Sequence, residues 1–258
     1  MARITTEGKC AFCDKVFSKT GMAKHLNNHL GEMITSNKPG KSFHIKIEPD
    51  RRWGASPYFL YLWADGRAEM DDIDNLLRSI WLECCGHMSS FTKKRSGTNR
   101  NTSWDQIMNA HQSLDEGRIE EYEQLIEDAN GEVLMDRKVK DVLKKGLQLD
   151  YSYDFGSTTK LQITVLEEYP FEANDIIVLL SRNERLELIC HTCHKKAAAY
   201  ICTECINHTD EYAFCKTCSK KHAAICGEFE EYAGLPVVNS PRMGVCAYEG
   251  GKIDKERD

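Results

Sequence analysis

Cysteine spacing constrains this sequence more than any other feature. Eight of its twelve cysteines form four C-x2-C pairs, and residues 190–226 hold three of the pairs and seven cysteines. No apolar run is long enough to cross a bilayer, and the N-terminus lacks the apolar segment of a signal peptide. We therefore expect a cytoplasmic protein with no membrane partner, in which thiols stay reduced. In that setting C-x2-C pairs favour metal binding over disulfides.

The N-terminal pair lies ahead of two histidines. Residues 10–29 read CAFCDKVFSKTGMAKHLNNH, in which Cys10 and Cys13 form a knuckle and His25 and His29 share one helical face. These four side chains can close a tetrahedron on zinc. The segment resembles the two-cysteine, two-histidine zinc finger, with eleven rather than twelve residues between Cys13 and His25. We predict a zinc finger over residues 1–32.

The C-terminal cluster offers eight ligands, enough for two closed zinc sites. In a sequential pairing the first two C-x2-C pairs share one zinc. In a cross-brace the first and third pairs share one, and the second pair joins the histidine and last cysteine of a helix. We favour the cross-brace, and the segment resembles B-box and RING-like modules. The eight ligands, in a module predicted over residues 188–228, are Cys190, Cys193, Cys202, Cys205, Cys215, Cys218, His222 and Cys226.

These zinc ions, about three per chain, are predicted to be structural. Four protein ligands leave no open position for water or substrate, which a catalytic zinc needs. A module of about forty residues buries too little apolar surface to fold without bound metal ions. Residues 229–258 are interpreted as a C-terminal tail, and its Cys246 as a spare thiol.

Between the two modules the pattern predicts an α+β domain over residues 42–183. SFHIKIE alternates apolar residues as a half-buried strand does, and PYFLYLWADG is apolar on both faces, as in a central strand. A helix is predicted from Asp71, capped by Asp71 or Asp72, and a second over 133–145. Two strands joined by a turn at Gly156 and a last strand, DIIVLLSRN, complete the expected mixed or antiparallel sheet.

Three segments carry a resemblance to a known family. LLRSIWLECCGHMSSF, YSYDFGSTTKLQITV and the terminal LPVVNSPRMGVCAY are similar to the plasmid pRiA ORF-three-like family, whose members are often labelled insertion-element passenger or "TnpR" proteins. The resemblance covers about residues 42–183. It implies an α+β domain with helices flanking the sheet and implies no definite chemistry.

Two polar positions in this domain are candidates for an enzymatic site. If Asp154 and His87 share a cleft, they could act as an acid–base pair or as ligands. The alternative is that Asp154 hydrogen-bonds the backbone of its own turn. Cys84 and Cys85 are interpreted as packed thiols rather than as a metal or redox site.

Nucleic acid is a second partner class to weigh. The net charge of −6 gives no global attraction to phosphate, so binding would need a local basic patch. The finger and the loop after residue 92 could supply one, from Lys19, Lys24, Lys93, Lys94, Arg95 and Arg100. Finger positions Ser18, Gly21 and Lys24 would face bases, but glycine reads none, so sequence preference should be weak.

The sequence thus favours a non-enzymatic, zinc-binding adaptor that docks on protein or, as the less favoured partner and without sequence preference, on nucleic acid. The alternative is an enzyme with an acid–base site around Asp154 and His87. The process, the partner and the oligomeric state have no signature in these residues.

Overall fold

The computed structural model describes residues 6–33, 38–50, 56–93, 104–119, 121, 122, 125 and 131–252. Within these ranges the chain is α+β, as predicted, and it is built around one seven-stranded sheet whose neighbouring strands are all antiparallel. The spatial order is β6-β5-β7-β8-β3-β4-β9. The strands are β3 Pro39–Pro49, β4 Leu60–Asp65, β5 Ser89–Lys93, β6 Glu132–Val133, β7 Gln148–Tyr153, β8 Thr159–Phe171 and β9 Ile177–Arg182.

Small hairpins and helices surround this sheet. The N-terminal hairpin pairs β1 Glu7–Lys9 with β2 Val16–Ser18, and a C-terminal three-stranded sheet contains β10 Tyr200–Cys202, β11 Ala213–Phe214 and β12 Gly234–Pro236. The helices are α1 Lys19–Glu32, α2 Met70–Leu77, α3 Trp104–Asp115, α4 Val139–Val142 and α5 Lys216–Ala223. None of the described helices is long and apolar enough to cross a membrane.

The position of strand β4 in the sheet explains why residues 60–64 are all apolar. Alternate residues of a strand point to opposite faces, and both faces of this sheet are covered. Leu60, Leu62 and Ala64 join one core cluster, while Tyr61 and Trp63 join another on the opposite face. The first face is covered by α2 and by the π-helical turn Arg78–Leu82 that follows it.

The opposite face is covered by the N-terminal finger. The buried face of α1 (Met22, Leu26 and Leu30) belongs to the same core cluster as Tyr61 and Trp63. Backbone hydrogen bonds join the finger to the edge strand β9 and the residues just after it, from Ala11 N to Leu180 O and from Glu184 N to Glu7 O, both within 2.9 Å. The finger therefore forms a layer of the main fold and packs on the sheet, rather than forming a separate domain joined by a linker.

The C-terminal segment returns to the sheet after the small module. Ser240 Oγ donates to Trp81 O at 2.6 Å, and the Arg242 side chain is fully buried. A side chain at Gly251 would come within about 2.2 Å of Ile80 O, so this backbone lies directly against the π-helical turn. Residues 237–252 thus pack on the predicted central domain, although they follow the cysteine-rich module in sequence.

The prediction of a helix over residues 133–145 is wrong. Residues 132–133 form a strand, and only Val139–Val142 form one helical turn. The start of helix α2 holds this segment extended. The backbone N–H of Met70 donates to Arg137 O, and that of Asp71 donates to Met135 O. Helix α2 begins one residue earlier than expected and is preceded by Glu69, whose backbone N–H donates to Asp72 Oδ2 at 2.8 Å. The extended segment satisfies N–H groups that a helix start leaves without partners.

Candidate metal centres

The described residues contain four groups of cysteine and histidine side chains that can hold a metal ion. In each group the four ligand atoms lie within 4.8 Å of one another. All twelve cysteines of the chain fall into these groups, and each of them is a free thiol. The groups are Cys10, Cys13, His25 and His29; Cys190, Cys193, Cys215 and Cys218; Cys202, Cys205, His222 and Cys226; and Cys84, Cys85, His87 and Cys246.

The first group is assembled by the knuckle between β1 and β2 and by helix α1. Nε2 of His25 lies 3.1 Å from Cys13 Sγ and 3.2 Å from Nε2 of His29. Phe17 stacks on the His25 ring, with 4.2 Å between ring centroids, and fixes its orientation. Cys10 is fully buried against the sheet. The four ligands predicted from the finger pattern converge on one point.

The first and second groups start from the same backbone device. In each, the residue that follows the C-x2-C pair is left-handed, with φ of 59° at Asp14 and 52° at His194. The backbone N–H of that residue donates to the carbonyl of the first cysteine, Cys10 or Cys190, at 3.0 and 2.9 Å. This turn directs both sulfurs of a pair to one side of the chain, which is the geometry that a shared metal ion needs.

The C-terminal ligands are grouped as the cross-brace interpretation has them, not in sequential order. The pair at 190 and 193 faces the pair at 215 and 218, and the interposed pair at 202 and 205 faces His222 and Cys226. Helix α5, which starts at the third pair, carries His222 one turn further on, and the ring stacks on Phe214 at 4.1 Å. Because the two sites interleave, they hold one another in place.

Several ligands have pKa values suited to metal binding, which requires thiolate and neutral imidazole. Burial lowers the pKa of His25 and of His222, which favours the neutral ring. Burial alone would raise the pKa of Cys190, but the backbone N–H groups around its sulfur outweigh that effect and lower it to about 6. For His25, His222 and Cys190 the folded chain thus favours the protonation state that binds a cation. Burial and the neighbouring thiols instead raise the pKa values of Cys10, Cys205, Cys218 and Cys226, so a cation must displace their protons.

Distances within the groups match a tetrahedral ion. With bonds of about 2.3 Å to sulfur and about 2.0–2.1 Å to nitrogen, neighbouring ligand atoms of zinc are about 3.3–3.8 Å apart. In the third group Cys202 Sγ is 3.9 Å from Cys226 Sγ, and Cys205 Sγ is 3.5 Å from Nε2 of His222. The geometry suits a four-coordinate metal site, and the donor set of thiolate and imidazole suits zinc.

The fourth group was not predicted from sequence. Cys84 and Cys85 were expected to be packed thiols and Cys246 a spare one, whereas Cys85 and Cys246 are exposed and their sulfurs lie 3.7 Å apart. The sequence gives little indication of this group because it contains no C-x2-C pair, and 159 residues separate His87 from Cys246. Only the return of the C-terminal segment to the sheet brings the four side chains together.

Asp154 and His87 are neighbours, as the enzymatic hypothesis requires. Asp154 Oδ2 lies 3.6 Å from Nε2 of His87, but it also accepts a 2.7 Å hydrogen bond from buried Arg242. That bond holds the pKa of Asp154 at about 2, so the carboxylate is ionised and poorly suited to accept a proton. Its other oxygen accepts from Gly156 N and Ser157 N, which confirms the predicted turn.

The surroundings of His87 also disfavour a general base. Its Nε2 lies 3.1 Å from Cys85 Sγ and 3.3 Å from Cys246 Sγ, so the nitrogen faces thiols. A cleft of about 650 Å³ lies between the end of β9, β12 and the C-terminal segment, and neither His87 nor Asp154 lines it. The arrangement is that of a ligand set rather than of an acid–base pair in a cleft.

The basic residues predicted to contact nucleic acid are only partly described. Lys19 Nζ forms a 2.8 Å ion pair with Glu48, so its charge is already compensated. Lys24 is exposed on α1, and Lys93 is half-buried at the end of β5. Lys94, Arg95 and Arg100 lie outside the described residues. Ser18 caps α1 by accepting a hydrogen bond from Gly21 N, so its hydroxyl has a structural role.

Comparison with known proteins adds little to this geometry. No family model and no curated protein matches the chain. Among solved structures, it is similar to a protein of unknown function, MM3350, from Methanosarcina mazei Go1, at 13% identity over 55% of this chain and 67% of that one. The TM-score of 0.34 is too low to carry an argument. The resemblance to the plasmid pRiA ORF-three-like family stays a prediction.

Proposed function

We propose that the chain is a zinc-binding adaptor that docks on another protein. The observation that carries the proposal is the closure of the three predicted Cys/His groups, each with four protein ligands for one ion. A closed tetrahedral site holds structure and offers no position to a substrate. Zinc rather than another divalent ion is favoured by the ligand types, which are thiolate and imidazole in two groups and thiolate alone in the group of Cys190, Cys193, Cys215 and Cys218.

The surface beside the third group supports a docking role. Ile206 and Ile225 directly follow and precede the ligands Cys205 and Cys226, so they flank one metal site, and Ile225 is 86% exposed. Tyr232 is also exposed, and its hydroxyl donates at 3.0 Å to Glu204, which directly precedes Cys205. We call Ile206, Ile225 and Tyr232 the apolar edge. An apolar surface on a rigid, metal-held module is suited to a protein partner.

Native mass spectrometry and affinity capture test the two halves of the proposal. The full chain should carry zinc at the three predicted groups, and immobilised chain should capture a discrete partner from an extract of the source cells. Ile225→Asp should abolish capture with the zinc count unchanged. Ile119→Asp, an exposed isoleucine far along the chain from the module, is the matched control and should capture normally.

Other outcomes would overturn parts of the proposal. A chain purified under reducing conditions without bound zinc would remove the structural-metal half. Equal capture by Ile225→Asp and the wild type would exclude the apolar edge. Capture that disappears after nuclease treatment of the extract would identify nucleic acid, not protein, as the partner.

A further inference from the structure

The fourth Cys/His group joins two segments that are remote in sequence. Cys84, Cys85 and His87 follow the π-helical turn that caps one face of the sheet, and Cys246 lies in the C-terminal segment. The separations are those of a tetrahedral ion. Cys85 Sγ is 3.4 Å from Cys84 Sγ and 3.7 Å from Cys246 Sγ, and Nε2 of His87 is 3.1–3.3 Å from the sulfurs of Cys85 and Cys246.

The backbone around Cys246 is held in a disfavoured conformation that directs its sulfur to this group. Cys246 and Ala247 have φ values of 49° and 52°, in the left-handed region that L residues adopt uncommonly. The turn is fixed from both sides, by a hydrogen bond from Val245 N to Arg242 O and by one from Tyr248 N to Val245 O. Two consecutive left-handed residues other than glycine indicate that the position of this side chain matters.

A buried cation supports the thiolate charge. Arg242, fully buried, lies with Nη2 3.5 Å from Cys84 Sγ, and it donates from the same nitrogen to Asp154. Three thiolates around a divalent ion leave one net negative charge, and the guanidinium, which also pairs with Asp154, donates a charge-assisted hydrogen bond to one of these thiolates. Metal ligands are commonly held by such outer hydrogen bonds.

We propose that Cys84, Cys85, His87 and Cys246 bind a fourth zinc ion, which fastens the C-terminal segment to the sheet. A disulfide is the competing use of these thiols, because Cys85 is near both Cys84 and Cys246. A disulfide would use two of the sulfurs and would not explain why the third thiol and the His87 imidazole lie at the same point. A four-ligand ion uses all of them.

This site differs from the other three in its exposure. Cys85 and Cys246 are exposed, and the His87 side chain is 32% exposed, whereas each of the other groups has a fully buried cysteine at its centre. Solvent and chelators reach exposed ligands first. The fourth zinc should therefore leave before the others when a chelator is added.

Native mass spectrometry of the full chain, refolded or purified with zinc alone as the metal, tests the site. The wild type should carry four zinc ions, and Cys246→Ser should carry three. Val245→Ser is the matched control, because it places the same hydroxyl one residue earlier in the same turn, and it should keep four. Three ions in the wild type, or four in Cys246→Ser, would overturn the proposal. So would a mass that shows two hydrogens lost and no fourth zinc, since that result indicates the disulfide.

A second measurement covers the case in which Cys246→Ser fails to fold. Wild-type chain loaded with ¹¹³Cd should give four resonances, one each from a two-cysteine and a four-cysteine site and two from three-cysteine, one-histidine sites. Limiting chelator should remove one of the last two first. A spectrum with a single three-cysteine resonance would refute the fourth site while leaving the three predicted zinc ions, and thus the proposed function, untouched.

Discussion

Arg242 and Asp154, 88 residues apart, form a 2.7 Å ion pair in which the arginine side chain is fully buried and the carboxylate nearly so. The same guanidinium donates to Ser157 O and to Thr159 Oγ1, each at 3.0 Å. The pair therefore joins the C-terminal segment to the turn between β7 and β8. It links the last described part of the chain to the centre of the sheet.

Replacing Arg242 by leucine should destabilise the protein markedly, because it removes the charged partner of the Asp154 carboxylate and leaves it only its backbone donors. Urea unfolding of the wild type and variant measures this loss. Arg118→Leu is the control, since Arg118 forms ion pairs with Glu116 and Glu121 at the surface. Exposed ion pairs contribute little, so its effect should be far smaller. Equal losses in the two variants would show that burial of the Arg242 pair is not what matters.

Local spacing predicted three of the four Cys/His groups that can hold a metal ion and did not predict the fourth. A C-x2-C pair, or His222 and Cys226 one helical turn apart, is brought together by a single turn, so sequence alone suffices. Cys246 lies next to His87 because the C-terminal segment is anchored just before it. Ser240 bonds to Trp81 O, and buried Arg242 bonds to Asp154. Such a contact is a property of the whole fold and leaves no mark in local spacing.

The same distinction holds for the fold. Strands β3, β4, β7, β8 and β9 and helix α2 were predictable because their apolar periodicity reports which faces are buried, whereas β5 and β6 were not predicted. The sequence also indicated that both faces of β4 are buried. It did not indicate that helix α1 of the finger covers the second face. Residues 133–145 were misjudged because their conformation is set by the N–H groups of Met70 and Asp71, which lie far away in sequence.

The packing of the finger on the sheet has a measurable consequence. Leu26 is fully buried between α1 and the sheet, so Leu26→Ala should destabilise the main unfolding transition by about 2–5 kcal/mol. Lys24→Ala, on the exposed side of the same helix, should change it by less than about 0.5 kcal/mol. Denaturant titration followed by tryptophan fluorescence measures this transition, since the signal includes Trp63 in the shared core and Trp81 on the other face of the sheet. If Leu26→Ala left this transition unchanged, the finger would be an independent unit.

His44 should make stability depend on pH. It lies on β3, fully buried, and its Nδ1 hydrogen-bonds Asn27 Oδ1 of the finger helix. Burial lowers the pKa of His44 to about 3 from its ordinary value of 6.5. Between these two values the unfolded chain binds a proton that the folded chain does not. Stability is therefore retained above about pH 6.5 and falls as the pH drops below it, by about 1.4 kcal/mol per unit.

The comparison that isolates this effect is His44→Phe, which keeps a ring of similar shape and cannot titrate. The difference in unfolding free energy between wild type and variant should change in the variant's favour from about pH 7.5 to about pH 5. The other histidines, including the predicted metal ligands, are common to both chains and cancel in the difference. A difference that stays constant with pH would mean that His44 becomes protonated in the folded state.

Loss of one ligand in the cysteine-rich module should unfold that module and leave the rest intact. Cys193→Ser leaves three ligands at the group proposed to hold the knuckle to helix α5 through a zinc ion. The core of this module is small, centred on Phe214 and Phe229, and without zinc it cannot offset the chain entropy lost on folding. The sheet has its own larger core, and the C-terminal segment is anchored to it by Arg242.

Hydrogen–deuterium exchange with mass spectrometry distinguishes these regions in one experiment. In Cys193→Ser, amides of residues 190–226 should lose protection, while those of β3, β4, β8 and residues 237–252 should keep it. Thr192→Ser is the control, because it changes the neighbouring residue of the same knuckle and leaves all four ligands in place. Loss of protection in β3 and β8 as well would show that the module is required for the sheet to fold. Full protection throughout would show that the first C-terminal metal site contributes nothing to the stability of the module.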